Sequence, residues 1–160
     1  MNHIHKSFLL TCILAVSFLF STLIPIEQTS AQPAWEQKAD KVISVAKANL
    51  NKKYKAGGTG PNEFDCSGFT KYVYKKAINL DLPRTSRDQA TVGTTVSKSN
   101  IRKGDLLFFK TNGQNISHVA IYMGNGKMIH ARNERHNITI DNINDSYWKR
   151  TYVHAKRVIR

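Results

Sequence analysis

Cys66 lies in Phe64-Asp65-Cys66-Ser67-Gly68-Phe69, after a glycine-rich stretch (Gly57-Gly58, Gly60-Pro61-Asn62) and at the head of a run with helical spacing. The free N–H groups and positive dipole end of a helix start favour a thiolate, so this position predicts a nucleophile. The small neighbours Ser67 and Gly68 leave room for a substrate backbone. A thiolate nucleophile needs a base, and the base needs a third group to orient it. Past residue 31 the chain offers four histidines: His118, His130, His136 and His154. His118 opens an apolar run, Ser117-His118-Val119-Ala120-Ile121-Tyr122, and His130 ends the next, Lys127-Met128-Ile129-His130-Ala131. Gly124-Asn125-Gly126 joins the two as a hairpin. Two histidines on adjacent strands, downstream of a helix-start cysteine, are the ingredients of a cysteine hydrolase. His136 sits in a polar stretch and His154 in a strand, and neither is expected to be catalytic. A zinc site from Cys66, His118 and His130 would lack a short ligand pair such as C-x₂-C, so no metal and no other cofactor is expected.

The two histidines can serve one thiol only from the same face of their hairpin. Side chains alternate between faces with period two. Directly opposed residues of an antiparallel pair have numbers of constant sum, so His118 and His130 share a face only if that sum is even. A plain Asn125-Gly126 turn, the geometry that Asn-Gly favours, pairs Gly124 with Lys127 and makes the sum odd. The chemistry therefore predicts an odd-length connection or a β-bulge, with both rings projecting toward the start of the Cys66 helix.

These residues need elements to hold them. Trp35, Ala39, Val42, Ile43, Ala46 and Leu50 recur at helical spacing and predict a helix from Ala34 to about Leu50. Lys52 to Glu63 reads as a loop. A second helix is expected from Cys66 to about Ile78, with Phe69, Val73 and Ala77 as its inner stripe. Thr85 and Ser86, each three residues before Asp88 or Gln89, resemble a capping box and start a short third helix. Five segments rich in β-branched and aromatic residues follow: Asp105–Lys110, Ser117–Met123, Lys127–Arg132, Ile138–Ile140 and Tyr152–Ile159. Helices first and strands afterwards indicate an α+β domain with N-terminal helices packed on an antiparallel sheet.

The chain has 160 residues and a formal charge of +13, from 24 Lys and Arg against 11 Asp and Glu. That length suits one domain, and 41% hydrophobic content excludes a disordered chain. Residues 1–31 read as a secretory signal peptide: Lys6, an apolar stretch from Phe8 to Ile24, then the small residues Thr29-Ser30-Ala31. The alternative is an uncleaved membrane anchor, the one route by which a membrane would be involved. Cleavage after Ala31 leaves residues 32–160 as the working domain, with Cys66 as its single thiol. Lys and Arg are scattered rather than gathered in a recognition module, so nucleic acid is not expected as a partner. Anionic polymers of a cell envelope suit an exported cationic protein better.

The chain resembles the NlpC/P60 family of secreted cysteine peptidases that cut peptidoglycan. Tyr54 with Gly57-Gly58, Phe64–Phe69, Leu82-Pro83-Arg84-Thr85-Ser86-Arg87-Asp88-Gln89, Lys103-Gly104-Asp105-Leu106-Leu107-Phe108-Phe109, Ser117–Tyr122 and Met128-Ile129-His130-Ala131 carry the likeness, in that order. The resemblance implies a papain-like fold, with Cys66 as nucleophile, His118 as base and His130 as its orienting residue. It further implies substrate contacts from Tyr54, Asp65, Ser67 and Ser86, with Arg84 as a candidate for a substrate carboxylate. The implied activity is hydrolysis of peptidoglycan stem peptides between D-Glu and the diamino acid, by a secreted, cell-wall-associated enzyme. The same fold with another substrate (an amidase, an acyltransferase or a secreted effector) and a non-catalytic basic wall-binding module are the alternatives. Ala56 and Glu63 depart from the family pattern on the expected substrate rim, where they bear on specificity.

Overall fold

The computed structural model describes residues 31–160, which form one compact unit. The expected signal peptide lies outside the described residues apart from Ala31. Helix α1 (Ala34–Lys47) buries Ala39, Val42, Ile43 and Ala46, and α2 (Cys66–Ile78) buries Phe69, Thr70, Val73 and Tyr74. These stripes pack the two helices on each other and on one face of a six-stranded antiparallel sheet. The strands are β3 (Thr94–Val96), β4 (Leu106–Phe109), β5 (His118–Gly124), β6 (Lys127–Ala131), β7 (Ile138–Asn142) and β8 (Tyr152–Arg157), in spatial order β3-β8-β4-β5-β6-β7. Leu106, Phe108, Val119, Ile121, Ile129 and Ile138 join the helical core on that face. Leu107, Phe109, Ala120, Met128 and Ala155 line the opposite face, which Trp148 of the short helix α4 (Ser146–Thr151) covers.

The expected α+β architecture is present, and its departures have local causes. Helix α1 stops at Lys47 because the chain turns through Asn49 and Asn51, the latter at a left-handed φ of 65°. The loop before α2 contains a two-residue parallel pairing of β1 (Lys53–Tyr54) with β2 (Glu63–Phe64). Thr85 caps the short helix α3 (Ser86–Gln89), accepting from the Asp88 N–H at 3.2 Å. Strand β3 and helix α4 escape the periodicity because each is short and buries a single side chain, Val96 and Trp148. Strand β7 runs to Asn142, two residues past its apolar stretch.

The β5–β6 hairpin satisfies both competing demands on its register. Gly124 pairs with Lys127 around Asn125 (φ 52°) and Gly126 (φ 71°), the two-residue turn that Asn-Gly favours. Tyr122 then pairs with Met128 and Ile121 with Ile129, so Met123 is an extra residue, a β-bulge. The bulge converts the odd register of the turn into an even one along the strands. His118 and His130 consequently share a face.

Candidate active site

Cys66 is the first residue of α2. Asp65 caps the helix, its Oδ1 accepting the Gly68 N–H at 2.7 Å. The Cys66 thiol lies 3.9 Å from the carbonyl oxygen of Ser117, the residue before His118, so α2 delivers it to the first residues of β5. His118 Nε2 is 2.7 Å from His130 Nδ1. That hydrogen bond leaves His118 Nδ1 as the ring nitrogen free for a thiol. The shared face of the two histidines is the one covered by Trp148, whereas α2 packs on the other. The two rings therefore do not point along the sheet normal at α2. The thiol meets β5 at its N-terminal end, at the Ser117 carbonyl.

Burial sets the protonation of this group. His118 is 5% exposed and His130 fully buried. Desolvation drives His118 well below the ordinary imidazole value, the His130 ring adds to the effect, and the Asp141 charge opposes it. His130 is lowered by the same desolvation, against a hydrogen bond to Asp141. The Cys66 thiol is pushed up by burial, and the Val119 and Ser67 N–H groups only partly offset this. The resting pair near neutral pH is therefore thiol and neutral imidazole. The preformed thiolate expected from the helix start is corrected, because desolvation outweighs the helix-terminal N–H groups.

Asp65 organises the surroundings of the thiol. Its Oδ2 accepts the Gly57 N–H at 3.0 Å, and Arg84 grips it with two nitrogens, at 3.1 Å to Oδ1 and 2.6 Å to Oδ2. Ser67 Oγ donates to Asp65 Oδ1 at 3.2 Å and accepts from Arg84 at 3.0 Å. Three residues expected at a substrate site are thus tied into one network, and the Arg84 guanidinium already holds a carboxylate of its own chain. The room beside Gly68 is filled by the Gly58 carbonyl rather than left for a substrate: a Cβ on Gly68 would overlap that oxygen. Tyr54 is half-buried near the thiol. Desolvation raises its hydroxyl, and the charges of Cys66 and Asp65 raise it further. Ser86 is buried at the start of α3, where Thr85 rather than Ser86 supplies the cap.

Sequence reasoning missed Asp141 and Trp148. Asp141 Oδ2 lies 3.2 Å from His130 Nε2, 3.1 Å from an Arg132 nitrogen and 2.9 Å from the indole Nε1 of Trp148. Trp148 stacks on His118 with centroids 5.5 Å apart at 28°, and meets the edge of His130 at 5.0 Å. A cleft of about 320 Å³ opens beside these rings, lined by Thr111, His118, Arg132, Asn133, Tyr147 and Trp148. A second, of about 440 Å³, adjoins it at Asn133 and runs past Tyr54, Glu134 and His136.

The model of the NlpC/P60 family matches residues 51–157, a span that holds every candidate site residue. The chain belongs to the NlpC/P60 family. It is 47% identical over 117 residues to the probable endopeptidase p60 of Listeria monocytogenes, covering 73% of this chain and 23% of that protein. It is 36% identical over 149 residues to the gamma-DL-glutamyl hydrolase of Bacillus subtilis, covering 91% of this chain and 36% of that protein. The NlpC/P60 domain of the peptidoglycan hydrolase SagA superposes with a TM-score of 0.67 at 31% identity, over 75% of this chain and 98% of that domain. The chain spans well under half the length of the two full-length relatives, and its likeness to them is a likeness of the NlpC/P60 domain.

Proposed function

We propose that this NlpC/P60 domain is a cysteine peptidase that hydrolyses peptidoglycan stem peptides, at the bond between D-Glu and the diamino acid. The observation that carries this reading is the Cys66 thiol at the head of α2, 3.9 Å from the carbonyl of Ser117, the residue before His118, whose ring is hydrogen-bonded to His130. The name of the peptidoglycan hydrolase supports the substrate class, and that of the gamma-DL-glutamyl hydrolase a bond to a glutamyl residue.

In this mechanism a stem peptide binds with its scissile carbonyl at Cys66 and reaches toward the clefts lined by His118 and Tyr54. The Sγ proton passes to His118 Nδ1 as sulfur attacks the carbonyl carbon, because the thiol and imidazole are neutral until substrate arrives. The first N–H groups of α2 have no partner within the helix, and with the Tyr54 hydroxyl they receive the developing oxyanion. The C–N bond breaks as His118 returns the proton to the leaving amine, and a thioester remains on Cys66. Water, giving its proton to His118, then attacks the thioester and frees the acid and the thiol. Asp65, Ser67 and Ser86 contact the peptide, and Arg84 acts by holding Asp65.

The domain works outside the cell at the wall, delivered by residues 1–31, and its +13 charge retains it on anionic wall polymers. Binding to isolated walls should weaken as salt screens the charge, and walls stripped of anionic polymer should bind less. Equal binding to stripped and intact walls at low salt would remove that electrostatic account. The bond is tested by mass spectrometry of purified stem-peptide fragments after incubation. Products ending in D-Glu and beginning with the diamino acid are expected. Cleavage only at another amide would move the assignment to an amidase or a different endopeptidase on the same fold. Binding to walls without turnover would leave the non-catalytic module.

A further inference from the structure

We propose that Asp141 is a positioning residue that fixes, through His130, which nitrogen of His118 is bare toward the thiol. The inference rests on the reading of Cys66 as nucleophile and His118 as base, and it concerns a side chain on β7, one strand beyond the hairpin that holds both histidines.

Asp141, His130 and His118 form a chain of three groups joined by hydrogen bonds. Asp141 Oδ2 is surrounded by three nitrogens: His130 Nε2 at 3.2 Å, Trp148 Nε1 at 2.9 Å and Arg132 at 3.1 Å. An indole nitrogen and a guanidinium can only donate. They therefore demand an acceptor at this oxygen and hold the carboxyl ionised. Burial pushes Asp141 up, but hydrogen bonds from His130 and Trp148 and the Arg132 charge bring it below the ordinary carboxylate value. An ionised carboxylate accepts only, so His130 Nε2 carries the proton of its neutral ring. His130 Nδ1 is then bare and accepts from His118 Nε2 across 2.7 Å. His118 Nε2 in turn carries the proton of that ring, and His118 Nδ1 is left with a lone pair.

The opposite tautomer of His118 would present an N–H to the thiol and could not take its proton. His130 alone does not decide between the two, because a neutral imidazole can donate or accept at Nδ1. The decision is made at Asp141. The same residue also faces the positive charge that His118 acquires during the reaction, with one ring between them. Register puts it in place: His130 pairs with Thr139, so Asp141, two residues along β7, projects from the same face.

Histidine ring nitrogen resonances test this directly, since long-range ¹H–¹⁵N spectra distinguish the two neutral tautomers. In the wild-type protein without substrate, near neutral pH, both His118 and His130 are expected as the Nε2–H form. An Nδ1–H form of His118 would overturn the proposal, and this reading needs neither a variant nor turnover. In Asp141→Ala, His118 should become a mixture of tautomers. The orienting carboxylate of a serine-protease triad is worth about 10⁴ in kcat, and Asp141 acts through one more ring, so a fall of about 10- to 100-fold in kcat with little change in KM is expected. In a serine-protease triad that loss follows from Asn, which imposes the wrong tautomer; here Trp148 and Arg132 can only donate and hold the amide oxygen of Asp141→Asn at the Oδ2 position, so this variant should keep the tautomer and part of kcat. A loss of kcat in Asp141→Ala with tautomers unchanged would make the residue structural and defeat the proposal. Failure of the peptidase reading shows differently, as absence of turnover in the wild type with the tautomers still as stated.

Discussion

Residue by residue, the chemistry depends on which protonation states burial permits. Spacing and residue type singled out Cys66, His118 and His130, because the one cysteine past residue 31 follows a glycine-rich stretch and the two histidines sit on neighbouring apolar strands. What spacing could not convey was desolvation. Cys66 is only 9% exposed, and the cost of ionising its thiol outweighs the helix-start N–H groups. The consequence is measurable. Alkylation of Cys66 by iodoacetamide should stay slow through neutral pH and climb with an inflection above the ordinary cysteine value of about 8.5. A fast, flat rate between about pH 5 and 7 would reveal a standing thiolate–imidazolium pair and contradict the neutral resting state. Arg84 carries a similar lesson. Its sequence neighbourhood suggested a free cation for a substrate, whereas its hydrogen bonds to Asp65, 19 residues away, engage it within the chain. Such a pairing depends on a loop path that no local pattern encodes.

Among the elements, those with clear periodicity were legible: α2 through Phe69 and Val73, β5 and β6 through their apolar runs, and the hairpin through Asn125-Gly126. The bulge at Met123 was legible only as a requirement of the chemistry, since an unbulged turn would have placed the two rings on opposite faces. Asp141 was not legible, because it sits where β7 has already become polar and its neighbour is set by the order of strands. The glycine loop joins α2 by direct backbone contact at Gly68. Gly68→Ala must displace the Gly58 carbonyl, which accepts the Asp65 N–H at 2.9 Å, and crowds Asp65 Oδ1. The change should cost about 1–3 kcal/mol in stability, as overpacking does. It should also lower activity beyond what the stability loss explains, because Asp65 caps the helix that presents the thiol. Thermal unfolding and turnover measured together check this. Wild-type behaviour in both would mean that the loop and helix start are not in contact.

For the molecule as a whole, the buried neutral groups define a window of stability. His118 and His130 have folded values below the ordinary imidazole value of about 6.5, so the unfolded chain binds more protons below that pH and stability falls as pH drops. Cys66 has a folded value above the ordinary thiol, so the unfolded chain loses its proton first and stability falls as pH rises past about 8.5. Melting temperature measured against pH should therefore peak between these limits. In Cys66→Ala the alkaline slope should be shallower. A melting temperature still rising well above that limit would contradict the buried protonated thiol. The central claim is that this NlpC/P60 domain cuts stem peptides through the Cys66 thiol. Its most direct test is turnover of one purified stem peptide by wild type and by Cys66→Ala, side by side, with products identified by mass. Cleavage by the wild type, and a loss of about 10⁴-fold or more in the variant, is the result expected. Equal cleavage by the two proteins would contradict it.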